Sequence, residues 1–160
     1  MFYSRASPKH LLDTQMVEFS ELRLLAIEAT KNAYTPYSHF PVGAAAEVDD
    51  GRIITGCNVE NASYGLALCA ECGLVSDLHR TGGGRIVRMS VVAADHKPVA
   101  PCGRCRQLLY EAGGPDLELD WDPEPIRLSE LLPMAFVPEQ LDRSPDRRAQ
   151  IDTTEGNFYE

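Results

Sequence analysis

Four of the chain's five cysteines fall in two Cys-x-x-Cys pairs, Cys69-Ala70-Glu71-Cys72 and Cys102-Gly103-Arg104-Cys105, about 30 residues apart. Thiolates at that spacing can face one ion from a single turn of chain, and soft sulfur ligands select zinc among the available divalent metals. Two outcomes are open. All four sulfurs could close the coordination sphere, as in a structural zinc ribbon. Alternatively, three could hold the ion and leave a position for water, whose pKa zinc lowers to about 7. The resulting hydroxide is a nucleophile at neutral pH and needs a carboxylate beside it to take up and pass on a proton. Glu71 lies inside the first pair and, among softer sulfur ligands, is free to be that carboxylate. Spacing alone favours the four-sulfur site. A ribbon, however, has no use for a carboxylate between its ligands or for the polar stretch Asn58-Val59-Glu60. Ribbons are also small modules, whereas 160 residues bury a core without a metal staple.

The elements that must position these groups follow from the apolar pattern. Leu22, Leu25, Ala26, Ala29 and Ala33 recur at helical spacing, which predicts an amphipathic helix over about 16–34. Thr35-Pro36-Tyr37-Ser38-His39-Phe40-Pro41 cannot continue it, because each proline pushes its predecessor out of the helical region. Residues 42–48 and 52–57 read as a hairpin around Asp49-Asp50-Gly51, and 58–68 as a polar loop. A helix over 69–80 is stopped by Gly82-Gly83-Gly84, a central strand spans 86–94, and a second helix spans 103–112. A strand at 117–120 and a short helix at 130–132, capped by Ser129, complete the pattern. This order predicts a mixed sheet with helices on both faces, an α/β sandwich. Both cysteine pairs fall at loop-to-helix junctions, where free N–H groups and the positive helix end favour thiolates. Cys57, on an apolar strand, reads as a structural thiol.

Apolar content of 44% and charged content of 24% fit one globular domain, placed at 16–140 between a flexible arm (1–15) and a disordered acidic tail (141–160). The net charge of -9 opposes binding to a polyanion, so a small molecule is expected as partner and a nucleic acid polymer is not. The chain has no basic-then-apolar start and no run of eighteen apolar residues. A cytoplasmic location without a membrane partner is therefore expected, where thiols stay reduced.

Cys69-Ala70-Glu71 followed by Pro101-Cys102-Gly103-Arg104-Cys105 resembles the zinc nucleoside and nucleobase deaminases, whose glutamate is not a ligand. With Phe40-Pro41-Val42-Gly43-Ala44, Gly56-Cys57-Asn58-Val59-Glu60-Asn61, Arg106-Gln107, and Leu131-Leu132-Pro133 with Phe136, the chain is similar to the small three-cysteine cytidine deaminases from about residue 18 to 141. The resemblance implies a three-layer α/β/α sandwich with a mixed, mostly five-stranded sheet. It implies one zinc ion per chain on Cys69, Cys102 and Cys105, with Glu71 moving protons from the zinc-bound water to ring N3 and the leaving amine. The implied reaction is hydrolysis of cytidine and deoxycytidine to uridine and deoxyuridine plus ammonia, a step of pyrimidine salvage. Asn58 and Glu60 would bind the ribose 3′-hydroxyl, the backbone at Ala70 the pyrimidine edge, and Phe40 would pack on the base. Phe136 would reach the base of a neighbouring subunit in a homotetramer, with Tyr64 near a subunit boundary. A related deaminase of another amino-heterocycle would share the cysteines and Glu71, but Asn58 with Glu60 favours a free sugar hydroxyl.

One departure stands out. Many members carry Arg directly after the catalytic Glu, hydrogen-bonded to the ligand thiolates, whereas Cys72 occupies that position here. Three thiolates on a dication leave about one net negative charge. Helix N-termini, Arg104 or Arg106 must offset it. Cys72 is expected off the metal, within the helix packing.

Overall fold

Gly43–Val48 (β1) and Ile53–Cys57 (β2) form the expected antiparallel hairpin. Its turn is closed by Val48 N–H donating to Arg52 O at 2.9 Å, with Gly51 at φ 85°. The computed structural model describes residues 16–143. The other edge of β1 pairs antiparallel with Ile86–Val92 (β3), and β3 runs parallel to Glu118–Leu119 (β4). Ile126–Arg127 (β5) adds an antiparallel edge, giving one mixed sheet in the order β2-β1-β3-β4-β5.

Helices cover both faces. Successive strand side chains point to opposite sides of the sheet, and β1 divides accordingly. Ala44, Ala46 and Val48 pack with Leu74 and Leu78 of Ala70–Arg80 (α2) and Leu109 of Gly103–Gly113 (α3). Ala45 and Val92 pack on Ala26 of Phe19–Thr30 (α1), on the other face. The small residues of β1 allow helices to lie close on both sides. At Gly56, opposite Ala44, an added Cβ would lie 2.3 Å from Ala70 O and 2.5 Å from Leu74 N. This glycine sets how closely the first turn of α2 approaches the sheet.

Three expectations need correction, and the short strand β5 is not predicted by its residues. The first helix is shorter than its pattern, because tertiary hydrogen bonds claim both flanks. Val17 N–H donates to the buried Glu47, and Val17 O accepts from Arg88. At the other end Tyr34 N–H donates to Asn58 O while Tyr34 O accepts from Glu60 N–H, so the backbone at Tyr34 anchors the polar loop. The last helix is Leu128–Leu131 (α4), capped from Arg127 rather than Ser129. Glu130 accepts from Arg127 N–H at 3.0 Å, while Ser129 N–H goes to Pro115 O. β5 is too short to show any period. Residues 141–143 belong to a 3-10 turn, Pro138–Arg143, instead of the tail; the arm 1–15 and the remaining tail lie outside the described residues. Gly82–Gly84 do stop α2, with Gly83 N–H donating to Leu78 O and Gly82 N–H to His79 O.

Candidate active site

Cys69 and Cys102 are the residues immediately before α2 and α3, each in extended conformation (φ -70°, ψ 160° and φ -65°, ψ 166°). Cys105 lies within the first turn of α3 and is fully buried. The two helix starts therefore face each other across a three-sulfur cluster, all within 4.8 Å of one another. Cys69 Sγ and Cys102 Sγ are 3.8 Å apart. Tetrahedral zinc with bonds of about 2.3 Å spaces its sulfurs roughly 3.8 Å apart, so the cluster fits that ion. Cys72 is outside the cluster. It is not simply packed between helices, as expected, because its Sγ accepts from Arg104 Nη2 at 3.5 Å. Arg106 instead donates to Pro101 O at 2.9 Å and Leu131 O at 3.0 Å, tying the second cysteine loop to α4.

Without the ion the thiols are not alike. Burial first, then the charge of Glu71, pushes the Cys105 thiol far above its ordinary value. Burial also raises Cys69. At Cys102 burial pushes upward, but hydrogen bonds from Cys105 and Arg104 N–H groups and the neighbouring thiols outweigh it. A raised thiol pKa means the proton is still bound at pH 7, and zinc must displace it. Zinc binding to the metal-free chain should therefore release at least the Cys69 and Cys105 protons, with affinity falling as pH falls. Calorimetry in buffers of different ionisation enthalpy measures that release; zinc uptake without proton release would contradict it.

Two cysteines of the cluster, Cys69 and Cys102, line a cavity of about 290 Å³. Cys69, Ala70, Glu71 and Cys102 line it together with Val42, Ala67, Leu68, Val91, Val99 and Ala100, and Phe40, Asn58 and Glu60 complete its wall. Glu71, 4% exposed, presents a carboxylate to this largely apolar space. Asn58 spans the loop before β1: its Oδ1 accepts from Val42 N–H at 2.8 Å and its Nδ2 donates to Phe40 O at 3.0 Å. Glu60 Oε2 accepts from the Tyr37 and Ser38 N–H groups, and the Ser38 hydroxyl first, then these two N–H groups, hold its carboxyl below its ordinary pKa.

Residues 16–118 match the family model for the cytidine and deoxycytidylate deaminase zinc-binding region. The chain belongs to this family. The cytidine deaminase of Mycobacterium tuberculosis (strain ATCC 25618 / H37Rv) is 54% identical over 127 residues, covering 79% of this chain and 96% of the relative. That of Halalkalibacterium halodurans is 45% identical over 121 residues, covering 72% and 92%. Among solved structures, a cytidine deaminase from Mycobacterium tuberculosis matches at 55% identity and TM-score 0.75, covering 76% of this chain and 99% of that one. One from Burkholderia pseudomallei matches at 41% identity and TM-score 0.68, covering 75% and 100%. The five-stranded sheet with its flanking helices is thus the cytidine deaminase fold.

Of the residues singled out in this deaminase sequence, Phe40, Asn58, Glu60, Cys69, Ala70, Glu71 and Cys102 share one cavity, with Cys105 behind it. Tyr64 and Phe136 do not line it. Tyr64 is 80% exposed and meets Tyr37 edge-on. Phe136 is held at its backbone by Gln107, which donates to its O at 2.7 Å and accepts from its N–H at 2.9 Å. The residue remains 55% exposed. Sequence reasoning missed the apolar wall of Val91, Val99 and Ala100. Nothing about an apolar strand end marks it as cavity rather than core. No helix among the described residues is long and apolar enough to cross a membrane.

Proposed function

We propose that this protein deaminates cytidine and deoxycytidine hydrolytically, giving the uracil nucleoside and ammonia. The observation that carries this reading is a three-sulfur cluster and a buried carboxylate on one cavity, with Cys72 left out of the cluster. Cys69, Cys102 and Cys105 would hold one zinc ion, which when bound lowers the pKa of a water and supplies Lewis acidity. Glu71 takes one proton from the attacking water as it adds to ring carbon 4 and delivers it to N3. It then takes the second proton from the hydroxyl now on carbon 4 and gives it to the amine, which leaves as ammonia as the C4–N bond breaks and the carbonyl forms. A largely apolar wall keeps other water from competing for those protons.

The chain's own groups orient the substrate. Ala70 is the first residue of α2, so its N–H has no helical acceptor and serves the pyrimidine edge. Phe40 packs against the base. Asn58 retains a second amide N–H, and Glu60 a second carboxylate oxygen, for the sugar hydroxyl. A carboxylate at the sugar end also repels a phosphate. That favours the free nucleoside over a nucleotide or polymer, as does the net charge of -9. Tyr64, Leu66, Met134 and Phe136 are exposed large apolar groups, and a homotetramer in which Phe136 completes a neighbour's site covers them. A site built on reduced thiols suits the cytoplasm, and the reaction a role in pyrimidine salvage.

Incubating the purified chain with cytidine should release ammonia and uridine in equal amounts; a chelator stops the reaction and added zinc restores it. No ammonia from zinc-loaded protein overturns the assignment. Cys72→Ala should still bind about one zinc per chain, because its sulfur lies outside the cluster. Complete loss of metal in that variant would identify a four-sulfur site instead.

A further inference from the structure

We propose that Arg104 balances the charge of the metal site, with Cys72 acting as the seat that holds the guanidinium against Cys69. The proposal rests on the three-sulfur reading of the site. Three thiolates on a divalent ion leave one negative charge, and the Glu71 carboxylate adds another beside it. Cys105 and Glu71 are buried, so bulk water screens these charges poorly. A cation is needed nearby. Among the described residues, Arg104 is the one side chain whose nitrogen donates to a sulfur of the cluster: Nη2 lies 3.6 Å from Cys69 Sγ. Arg106, the other candidate, is committed to two backbone carbonyls.

Two further features make this a placed cation. Arg104 sits in the first turn of α3, at the positive end of that helix, where a basic side chain is disfavoured. A compensating negative partner is therefore required, and thiolates supply it. The same Nη2 is also met by Cys72 Sγ at 3.5 Å and Ala67 O at 3.4 Å. Three acceptors from the loop and first turn of α2 thus fix one nitrogen contributed by α3. Cys72 is a positioning residue in this arrangement, acting on the metal through Arg104, and Arg104 acts through Cys69.

The test is zinc affinity of the full chain, measured by competition with a chromophoric chelator. Partners of metal ligands typically contribute tenfold to hundredfold in affinity. Arg104→Gln should therefore raise the zinc Kd by about 10- to 100-fold. Arg104→Lys keeps the charge and should recover part of that loss. Adding Cys72→Arg to Arg104→Gln returns a cation from the opposite helix and should tighten zinc again. Arg104 is exposed, so the metal-free variants should melt with the metal-free parent, which separates the effect from misfolding. A Kd for Arg104→Gln within twofold of the parent, or Lys no better than Gln, overturns the proposal while leaving the three-sulfur site standing. A parent chain that binds no zinc overturns both.

Discussion

Glu71→Gln should leave zinc bound and remove nearly all turnover. Glutamine keeps the size of the side chain in the first turn of α2 but cannot accept a proton from water. A positioned general acid–base group contributes about 10²–10⁴-fold, and in the proposed mechanism one residue serves successive transfers, so kcat should fall by at least about 10³. Metal retention is the informative half. Glu71 is outside the sulfur cluster, and its negative charge raises the Cys105 and Cys69 thiols. Removing that charge eases their deprotonation, so zinc should bind the variant at least as tightly as the parent. Turnover with cytidine and zinc per chain, measured on one preparation, separate the roles. A kcat within tenfold of the parent would refute the proton-carrying role, and loss of zinc would make Glu71 a ligand.

The features legible in sequence were those in which one residue type does one job at fixed spacing. Cys69, Cys102, Glu71 and the Asn58–Glu60 loop meet at one cavity, with Cys105 in the same sulfur cluster, because each adjoins or opens an element whose period is clear. What stayed hidden depends on distant partners. The apolar pattern ran past Thr30, yet Tyr34 leaves the helix because its backbone pairs with Asn58 and Glu60. Ser129 looked like a cap, but the chain takes its bond from Arg127 to Glu130. Arg104 and Arg106 are two residues apart on one helix, and composition could not rank them. Their targets lie on different elements, α2 and its preceding loop for one, α4 and Pro101 for the other. Tyr64 and Phe136 are exposed and do not line the cavity, and single-chain periodicity assigns neither ring a place in the site.

Gly56→Ala tests whether the sheet sets the catalytic geometry. Its new Cβ would sit 2.3 Å from Ala70 O and 2.5 Å from Leu74 N. Both are backbone atoms that cannot swing aside, so α2 must lift off β2. Overpacking of this kind costs about 1–3 kcal/mol or more. The larger consequence is chemical, because the displaced turn carries Cys69, Ala70 and Glu71 while Cys102 and Cys105 stay with α3. A shift of about 1 Å in reacting groups can reduce rate by around 10². The variant should therefore show at least that loss in kcat/KM, with weaker zinc binding and a lower melting temperature. Gly73→Ala is the matched comparison. It lies on the facing side of the same contact, but its Cβ would meet nothing closer than 3.6 Å. Alanine is favoured over glycine within a helix by roughly 0.5–1 kcal/mol, so this variant should keep its activity and melt no lower than the parent. If Gly56→Ala turned over cytidine like the parent, close contact between β2 and α2 would not be what aligns Glu71 with the sulfur cluster.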